Sequence, residues 1–321
     1  MYIISANNVN DAYDMGMDLI RSDGVLRNSR AGDVLVMDGP VTTLYAEPTK
    51  RVLFNPTRDA NPFFHFMEGL WMLAGRRDVK WISQFNAGFA QFSDDGKLFH
   101  GAYGFRWVNQ FGINQLEEVA KILKANPDDR RCVVQMWNAA DDLGKEGLDF
   151  PCNTQIYFRI SVNGELDMTV CNRSNDIIWG AYGANAVHMS MMQEVMAAWI
   201  GVPVGRYWQV SNNYHAYVKV FEQKNVDSAT YDMYDDGAEV FPMVNGSIDE
   251  WFEDLYMFLE EGPIVGFRDK FFRRVVTPIW VAWKCWKSTD ENKIDMAQDA
   301  LKNCMASDWR IACHDWLERR R

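Results

Sequence analysis

The stretch from Asp149 to Gln193, DFPCNTQIYFRISVNGELDMTVCNRSNDIIWGAYGANAVHMSMMQ, constrains this chain more than any other. Two runs of alternating character, Gln155 to Ser161 and Glu165 to Val170, flank Asn163-Gly164, a dipeptide that tolerates positive φ and favours a hairpin turn. The second strand therefore runs back beside the first. Strands rise about 3.3 Å per residue, so Cys152 and the corner from Cys171 to Asp176 return to the same end of the hairpin. A thiol and the Arg173 guanidinium then face one cavity.

An ordinary thiol is only a few per cent thiolate at neutral pH, and a guanidinium opposite it would stabilise the anion. Pro151 before it and Arg173 across from it set Cys152 apart; Cys132, Cys171, Cys285, Cys304 and Cys313 read as buried and inert. The six cysteines form no CxxC pair and no Cys/His metal spacing, so neither a zinc site nor a disulfide framework is expected. A reducing cytoplasm is the simplest setting. The N-terminus has no signal-peptide pattern, and no apolar run reaches the roughly 20 residues of a membrane helix. A formal charge of -11 argues against a general nucleic-acid binder, so an anionic ligand needs a local arginine cluster.

Upstream, residues 8 to 21 read as an amphipathic helix, and Val25 to Glu47 as strands around the turn at Asp38-Gly39-Pro40. The polar loop from Arg27 to Asp33 is either a solvated connection or a phosphate cradle. Asn61 to Ala74 reads as a helix apolar around most of its circumference, with Glu68 in its midst. A carboxylate there is either structurally paired or used by a site. Val79 to Phe92 reads as helical. Tyr103, between Ala102 and Gly104, is either a core tyrosine or one whose hydroxyl reaches a cavity. Ile113 to Ala125 is a helix, followed by Arg130-Arg131 and a buried strand over Cys132 to Trp137. Because strand side chains alternate, those two arginines cannot both face the core.

Ala186 to Ile200 reads as a helix on which His188 and the methionines serve packing. Val204 to Val210 is a strand, and His215 and Tyr217 point the same way if the chain stays extended. Asp227 to Gly246 is an acidic, turn-rich connection. Asp249 to Arg321 reads as three or four helices rich in Trp and Phe.

Several of these pieces, PCN at 151 to 153, RSND at 173 to 176, Gly180 followed by Asn185, and others in the same order across residues 27 to 217, resemble the thymidylate synthase family, which includes the pyrimidine nucleotide hydroxymethylases. The fit is to a phage-type, deoxyuridylate hydroxymethylase-like branch. The resemblance implies an α/β (α+β) fold with a mainly β-sheet core covered by helices. Residues 1 to 225 would form the catalytic core and 226 to 321 a helical C-terminal extension packed on it. It implies Cys152 as the nucleophile that adds to C6 of a pyrimidine nucleoside monophosphate, Glu68 and Tyr103 as movers of the C5 proton, and Asn185 as reader of the base.

By the same resemblance Arg30, with Arg27 as the second choice, joins Arg173 and Ser174 in binding phosphate. Arg130 and Arg131 would reach the phosphate of a homodimer partner. His215 and Tyr217 would hold the sugar hydroxyl, and Asp176 would face the pterin of methylenetetrahydrofolate, the cosubstrate; no metal is implied. An amide at Asn185 suits uracil, whereas a carboxylate would suit cytosine.

This chain departs from the family pattern in several places. One extra residue separates Gly180 from Asn185, Asn153 follows the cysteine where synthases usually have histidine, and Phe89 and Phe92 stand near the usual indole wall. The chain ends HDWLERRR, where synthases have a short apolar tail that closes the site. A less sealed site favours water over hydride, so deoxyuridylate 5-hydroxymethylation is the leading expectation. The alternatives are thymidylate synthesis, cytidylate hydroxymethylation, and a non-catalytic nucleotide- or RNA-binding relative.

Overall fold

The computed structural model describes residues 1–29, 31–223 and 230–321, and the strands among them form two sheets. In chain order the strands are β1 (Tyr2–Ala6), β2 (Val25–Ser29), β3 (Gly32–Val36), β4 (Val41–Tyr45), β5 (Val133–Gln135), β6 (Asn153–Ile160), β7 (Leu166–Asn172), β8 (Asn175–Asp176), β9 (Val204–Ser211) and β10 (Tyr214–Tyr217). The helices are α1 (Val9–Asp23), α2 (Pro62–Leu73), α3 (Val79–Ile82), α4 (Tyr103–Val108), α5 (Gln115–Ala125), α6 (Ala139–Asp142), α7 (Asn185–Ile200), α8 (Val218–Gln223), α9 (Ile248–Glu261), α10 (Thr277–Trp286), α11 (Lys293–Leu301) and α12 (Ser307–Glu318). Ile177–Ala184 and Phe272–Val276 wind as wide π turns directly ahead of α7 and α10.

The larger sheet has the order β1-β4-β9-β7-β6-β5 and the smaller β2-β3-β10-β8. At one seam the chain leaves the first sheet for the second twice, between β7 and β8 and between β9 and β10. Two backbone bonds hold that seam: Asn212 N–H donates to Asn172 O at 2.9 Å, and Asn175 N–H to Asn213 O at 2.8 Å. The hairpin of β6 and β7 closes with a three-residue loop, Val162 to Gly164, because Ser161 N–H donates to Glu165 O (2.8 Å) and Gly164 N–H to Ser161 O (2.9 Å).

Helix α2 starts where the sequence says it should. Asn61 caps it by accepting from Phe64 N–H (3.1 Å), and Pro62 takes a first-turn position that needs no donor. All twelve of its residues are buried, which requires protein on both sides. One side is α7. The other is the C-terminal layer: the Phe63 ring lies 5.4 Å from Trp283 and 5.6 Å from Trp316, and Phe66 lies 5.0 Å from Trp309. The expected 225/226 boundary falls in 224–229, outside the described residues.

The expected helix over Val79 to Phe92 is instead broken into α3 and a 3-10 turn at Ala87–Phe92. Residues four apart share a helix face, yet Phe85 packs on Trp280 and Trp283 while Phe89 packs on Phe64 and Phe99. A continuous helix could not serve both walls.

A buried polar cluster fastens the C-terminal layer to the core. Arg51 and Glu194 form an ion pair, Met243 N–H donates to the other Glu194 oxygen (2.8 Å), and Tyr234 donates its hydroxyl to Asp308 Oδ2 at 3.1 Å. Asp308 is fully buried, and that burial pushes its carboxyl up to about 6. A carboxyl raised above its unfolded value of about 3.9 contributes stability that is complete below that value and lost as pH rises through the folded one. Asp308→Asn is therefore expected to melt higher than the parent at pH 7.5, by on the order of 2–5 °C, with the gap closing near pH 4. A thermal-melt series across that range checks it; a gap independent of pH would contradict the assignment.

Candidate active site

A cavity of about 280 Å3 lies between α2, α4, the segment before β6 and the start of α7, and Glu68, Tyr103, Cys152, Asn185 and His188 all line it. Two glycines allow the helices this close. A Cβ on Gly104 would lie 1.9 Å from the Met72 carbonyl oxygen, and one on Gly69 would lie 2.4 Å from the Met191 sulfur. Gly104 thus brings Tyr103 against α2, and Gly69 lets α7 settle beside Glu68. Phe89 and Phe92 form part of the wall, with Trp71 and Phe99.

Cys152 and Arg173 meet at the open end of the hairpin as expected, but thiol and guanidinium do not face one cavity: Cys152 lines this one, whereas Arg173, turned to the backbone carbonyls ahead of the cysteine, lines a second cleft. Arg173 N–H donates to the Cys152 carbonyl (2.9 Å), and its guanidinium donates back to the carbonyls of Pro151 (2.9 Å) and Phe150 (3.2 Å), fixing the backbone on which the thiol sits. Burial pushes the Cys152 thiol up, and Arg173 opposes that rise without cancelling it; Asp149 and Asp176 add to it. The expected stabilisation of the thiolate by Arg173 is thus present but outweighed by desolvation. The Tyr103 hydroxyl accepts from Asn153 N–H at 3.5 Å and is itself held above its ordinary range by burial.

Asn185 sits in a chain of amides that all point one way. Asn172 Nδ2 donates to Asn153 Oδ1, Asn153 Nδ2 to Asn185 Oδ1 (3.1 Å), Asn185 Nδ2 to Asn175 Oδ1 (3.0 Å), and Asn175 Nδ2 to Gln209 Oε1. Each link uses one donor and one acceptor, leaving Asn185 one N–H and one lone pair. The extra residue before Asn185 is absorbed in the π turn at Ile177–Ala184, which departs from helical geometry at Gly183 (φ -113, ψ -107). A one-residue insertion in a helix takes this form and keeps the next turn in place. Asp176 opens that turn by accepting from Ile178 N–H (3.0 Å) and Trp179 N–H (2.6 Å). Its Oδ2 is buried with no partner, and burial raises its carboxyl despite those bonds. An orphaned acceptor of this kind fits a ligand N–H, as a pterin would supply.

A second cleft opens at the seam between the sheets, lined by Arg27, Arg173, Ser174, Asn213, His215 and Tyr217 among others. His215 and Tyr217 do point the same way, their rings 5.3 Å apart and nearly perpendicular. Arg30 lies outside the described residues. Arg130 and Arg131 stand apart, exposed ahead of β5, with Arg131 held by Asp129 at 2.6 Å.

Two features were not visible in the sequence reading. His188, read there as packing, instead faces the cavity with its Nε2 2.9 Å from Glu68 Oε2; the available signal was its place three residues after Asn185, on the same helix face. Arg58 is buried beside Asp176, donating to Ile178 O (2.6 Å) with its guanidinium 4.3 Å over the half-exposed Trp179 ring.

The thymidylate synthase family model matches residues 17–231. The chain belongs to the thymidylate synthase family. It is 47% identical over its whole length to the deoxyuridylate hydroxymethyltransferase of Pseudomonas phage M6, covering 95% of that protein. It is 39% identical to the enzyme of the same name from Bacillus phage SP01, over 61% of this chain and 55% of that one. A putative thymidylate synthase of Methanothermobacter thermautotrophicus is 27% identical over 69% of this chain and 96% of its own. The chain is accordingly a one-carbon transferase. Its family uses methylenetetrahydrofolate as donor and pyrimidine nucleoside monophosphates as acceptors.

The opposition between burial and Arg173 at the thiol can be read by alkylation. Iodoacetamide labelling of Cys152, followed by peptide mass spectrometry, is expected to accelerate with pH through the alkaline range. At pH 8 it should slow by about three- to tenfold in Arg173→Gln. Equal rates in the two proteins would mean that Arg173 does not act on the thiol.

Proposed function

We propose that this chain is a deoxyuridylate 5-hydroxymethyltransferase that joins a one-carbon unit from methylenetetrahydrofolate to C5 of dUMP and releases tetrahydrofolate, working in the cytoplasm. The observation that carries the reading is the wired amide of Asn185 in the cavity of Cys152 and Glu68. Its remaining N–H matches O4 of uracil and its remaining lone pair matches N3–H. The full-length likeness to a phage deoxyuridylate hydroxymethyltransferase supports the same product.

Cys152 adds to C6, and C5, gaining carbanion character, attacks the one-carbon unit. Glu68, with Tyr103 beside it, takes the C5 proton away. Loss of the folate leaves an exocyclic methylene, which water captures. Arg173, Ser174 and Arg30 bind the phosphate, His215 and Tyr217 the sugar hydroxyl, and Asp176 the pterin. Residues 1 to 225 act as the catalytic core and 226 to 321 as a helical extension.

A homodimer completes the phosphate site in this reading. One row of residues crosses the larger sheet on the side away from α7: Val133, Tyr157, Thr169, Trp208, Leu44 and Ser5, each paired with the next. Val133 and Tyr157 are 39% and 42% exposed, an open aromatic and aliphatic sheet face that a second layer is needed to cover. Arg130 and Arg131 stand next to this face, ahead of β5, and would enter the partner's phosphate cleft.

The test is incubation with methylenetetrahydrofolate and either dUMP or dCMP. Mass spectrometry is expected to find 5-hydroxymethyl-dUMP, without the absorbance change of dihydrofolate. Formation of dTMP with dihydrofolate would restore the synthase, and preferential use of dCMP would restore the cytidylate enzyme. Asn185→Asp is expected to move the dCMP-to-dUMP ratio of kcat/KM upward by about 10²-fold or more, because the carboxylate loses the donor to O4 and accepts from the 4-amino group. An unchanged ratio would place base recognition elsewhere.

A further inference from the structure

His188 stands on a helix most of whose residues are buried, with Val187, Met189, Met191, Met192 and Val195 around it. It is 2% exposed and Glu68 3%, and they face each other across the α2–α7 contact. The 2.9 Å between His188 Nε2 and Glu68 Oε2 is an ion-pair distance, but the approach is not along a good hydrogen-bond direction. Glu68 Oε2 and both ring nitrogens of His188 are left as buried polar atoms without a partner. Three such atoms on the wall of one cavity, beside the nucleophile, are costly for packing alone and suit a ligand or an ordered water.

We propose that His188 is a positioning residue that holds the proton Glu68 collects, so that one carboxylate can act as a base twice in a turnover. This rests on the hydroxymethyl transfer reading above, which asks for two deprotonations. The first takes the C5 proton. In the second, the oxygen of water bonds to the exocyclic methylene carbon, the methylene π pair moves into the ring toward O4, and the spare proton of water passes to the base. Expulsion of the Cys152 thiolate from C6 then restores the C5–C6 double bond. The two protons released are balanced by two taken up on the folate nitrogens that lose the methylene bridge.

A carboxylate still carrying the C5 proton is no base for water. An imidazole 2.9 Å away can take that proton and return Glu68 to its ionised form.

The titratable and charged groups around the pair are His65 on α2, Arg58 ahead of it, Tyr103 on α4, and Asp149 and Cys152 ahead of β6. Burial, with Arg58 and His188 adding to it, holds His65 well below the usual imidazole range, so it stays neutral and does not compete for the proton. Tyr103 is held protonated by its own burial. That leaves the His188 imidazole, against Glu68 itself, as the store.

The test uses the full-length enzyme with dUMP tritiated at C5. His188→Gln keeps a polar side chain without a proton-accepting nitrogen, and His188→Ala leaves space for added imidazole. Thermal melts and dUMP binding establish that each variant is folded. His188→Gln is expected to lower kcat by about 10²-fold or more with little change in KM, and to alter the dependence of kcat on pH. Imidazole is expected to restore His188→Ala by about tenfold or more. Parallel pH profiles for variant and parent, or no recovery with imidazole, would overturn the proposal and leave His188 a packing residue. Tritium release reads the first proton transfer and hydroxymethyl product the second, so His188→Gln is expected to lose product more than tritium release; equal loss of both would overturn the role of His188, whereas a methyl product from the parent enzyme would sink the hydroxymethylase reading itself.

Discussion

The hydrogen bond from Arg173 N–H to the Cys152 carbonyl sets the geometry on which the rest of the site depends. It is the last bond of the β6–β7 hairpin, and beyond it the two strands go different ways. Past Cys152 toward the N-terminus the chain runs to Asp149, which accepts from Gly101 N–H at 2.7 Å, while past Arg173 it crosses the seam into the smaller sheet. The thiol therefore lies on one side of a single peptide bond pair, facing the cavity of Glu68, and the guanidinium on the other, facing the cleft of His215 and Tyr217. A substrate with an electrophilic ring and an anionic tail fits that division, since one molecule would lie across the hairpin end with the ring on the thiol side and the tail on the arginine side.

In the proposed reading, the amide chain from Asn172 to Gln209 converts this backbone arrangement into chemical selectivity. Its links run in one direction, so inverting one amide would set donor against donor at one neighbour and acceptor against acceptor at the other. Asn185 could not rotate to present a different pattern to a base without that cost. Asn153, in the position next to the nucleophile, is one of the links: its single amide accepts from Asn172 and donates to Asn185. In the proposed reading, selectivity for the base is a property of four strands and one helix start, and only the middle member, Asn185, lines the cavity.

Much of this was legible in the sequence because the signals were local. Alternation on both sides of Asn163-Gly164 specified the hairpin, and Asn61-Pro62 marked the start of α2. The all-round apolar character of α2 called for a second covering layer, which the Trp-rich C-terminal helices provide. His188 was not legible, since an apolar helix buried on all sides gives no periodicity from which to tell a packing position from one that fronts a cavity. Nor was the break after α3, because the aromatic residues Phe85 and Phe89 have a helical spacing and only their partners, Trp283 and Phe99, reveal that they serve opposite walls. The extra residue before Asn185 was visible as a count, but the π turn that takes it up is held from outside by Arg58, 120 residues upstream of Ile178, whose guanidinium donates to the Ile178 carbonyl.

That dependence gives the C-terminal residues a different task from closing the cavity. Asp59 has the only positive φ among the described non-glycine residues, 48°, a conformation that costs free energy unless its surroundings impose it. Arg320 bonds Asp59 Oδ2 at 2.7 Å while its guanidinium lies 3.6 Å over Trp316, and Arg319 adds a bond to Oδ1 at 3.1 Å. Burial works against the Asp59 carboxylate, yet Arg320 and Arg319 together hold it below its usual range. The pair thus holds Asp59 at this turn, and its neighbour Arg58 points inward, where it holds the Ile178 carbonyl and lies over Trp179 beside Asp176. Charged residues at the end of α12 so support one wall of the site from behind, through two adjacent residues of the connection before α2. In the proposed reading, a wall braced in this way keeps Asp176 and its neighbours fixed on the pterin side of the cavity.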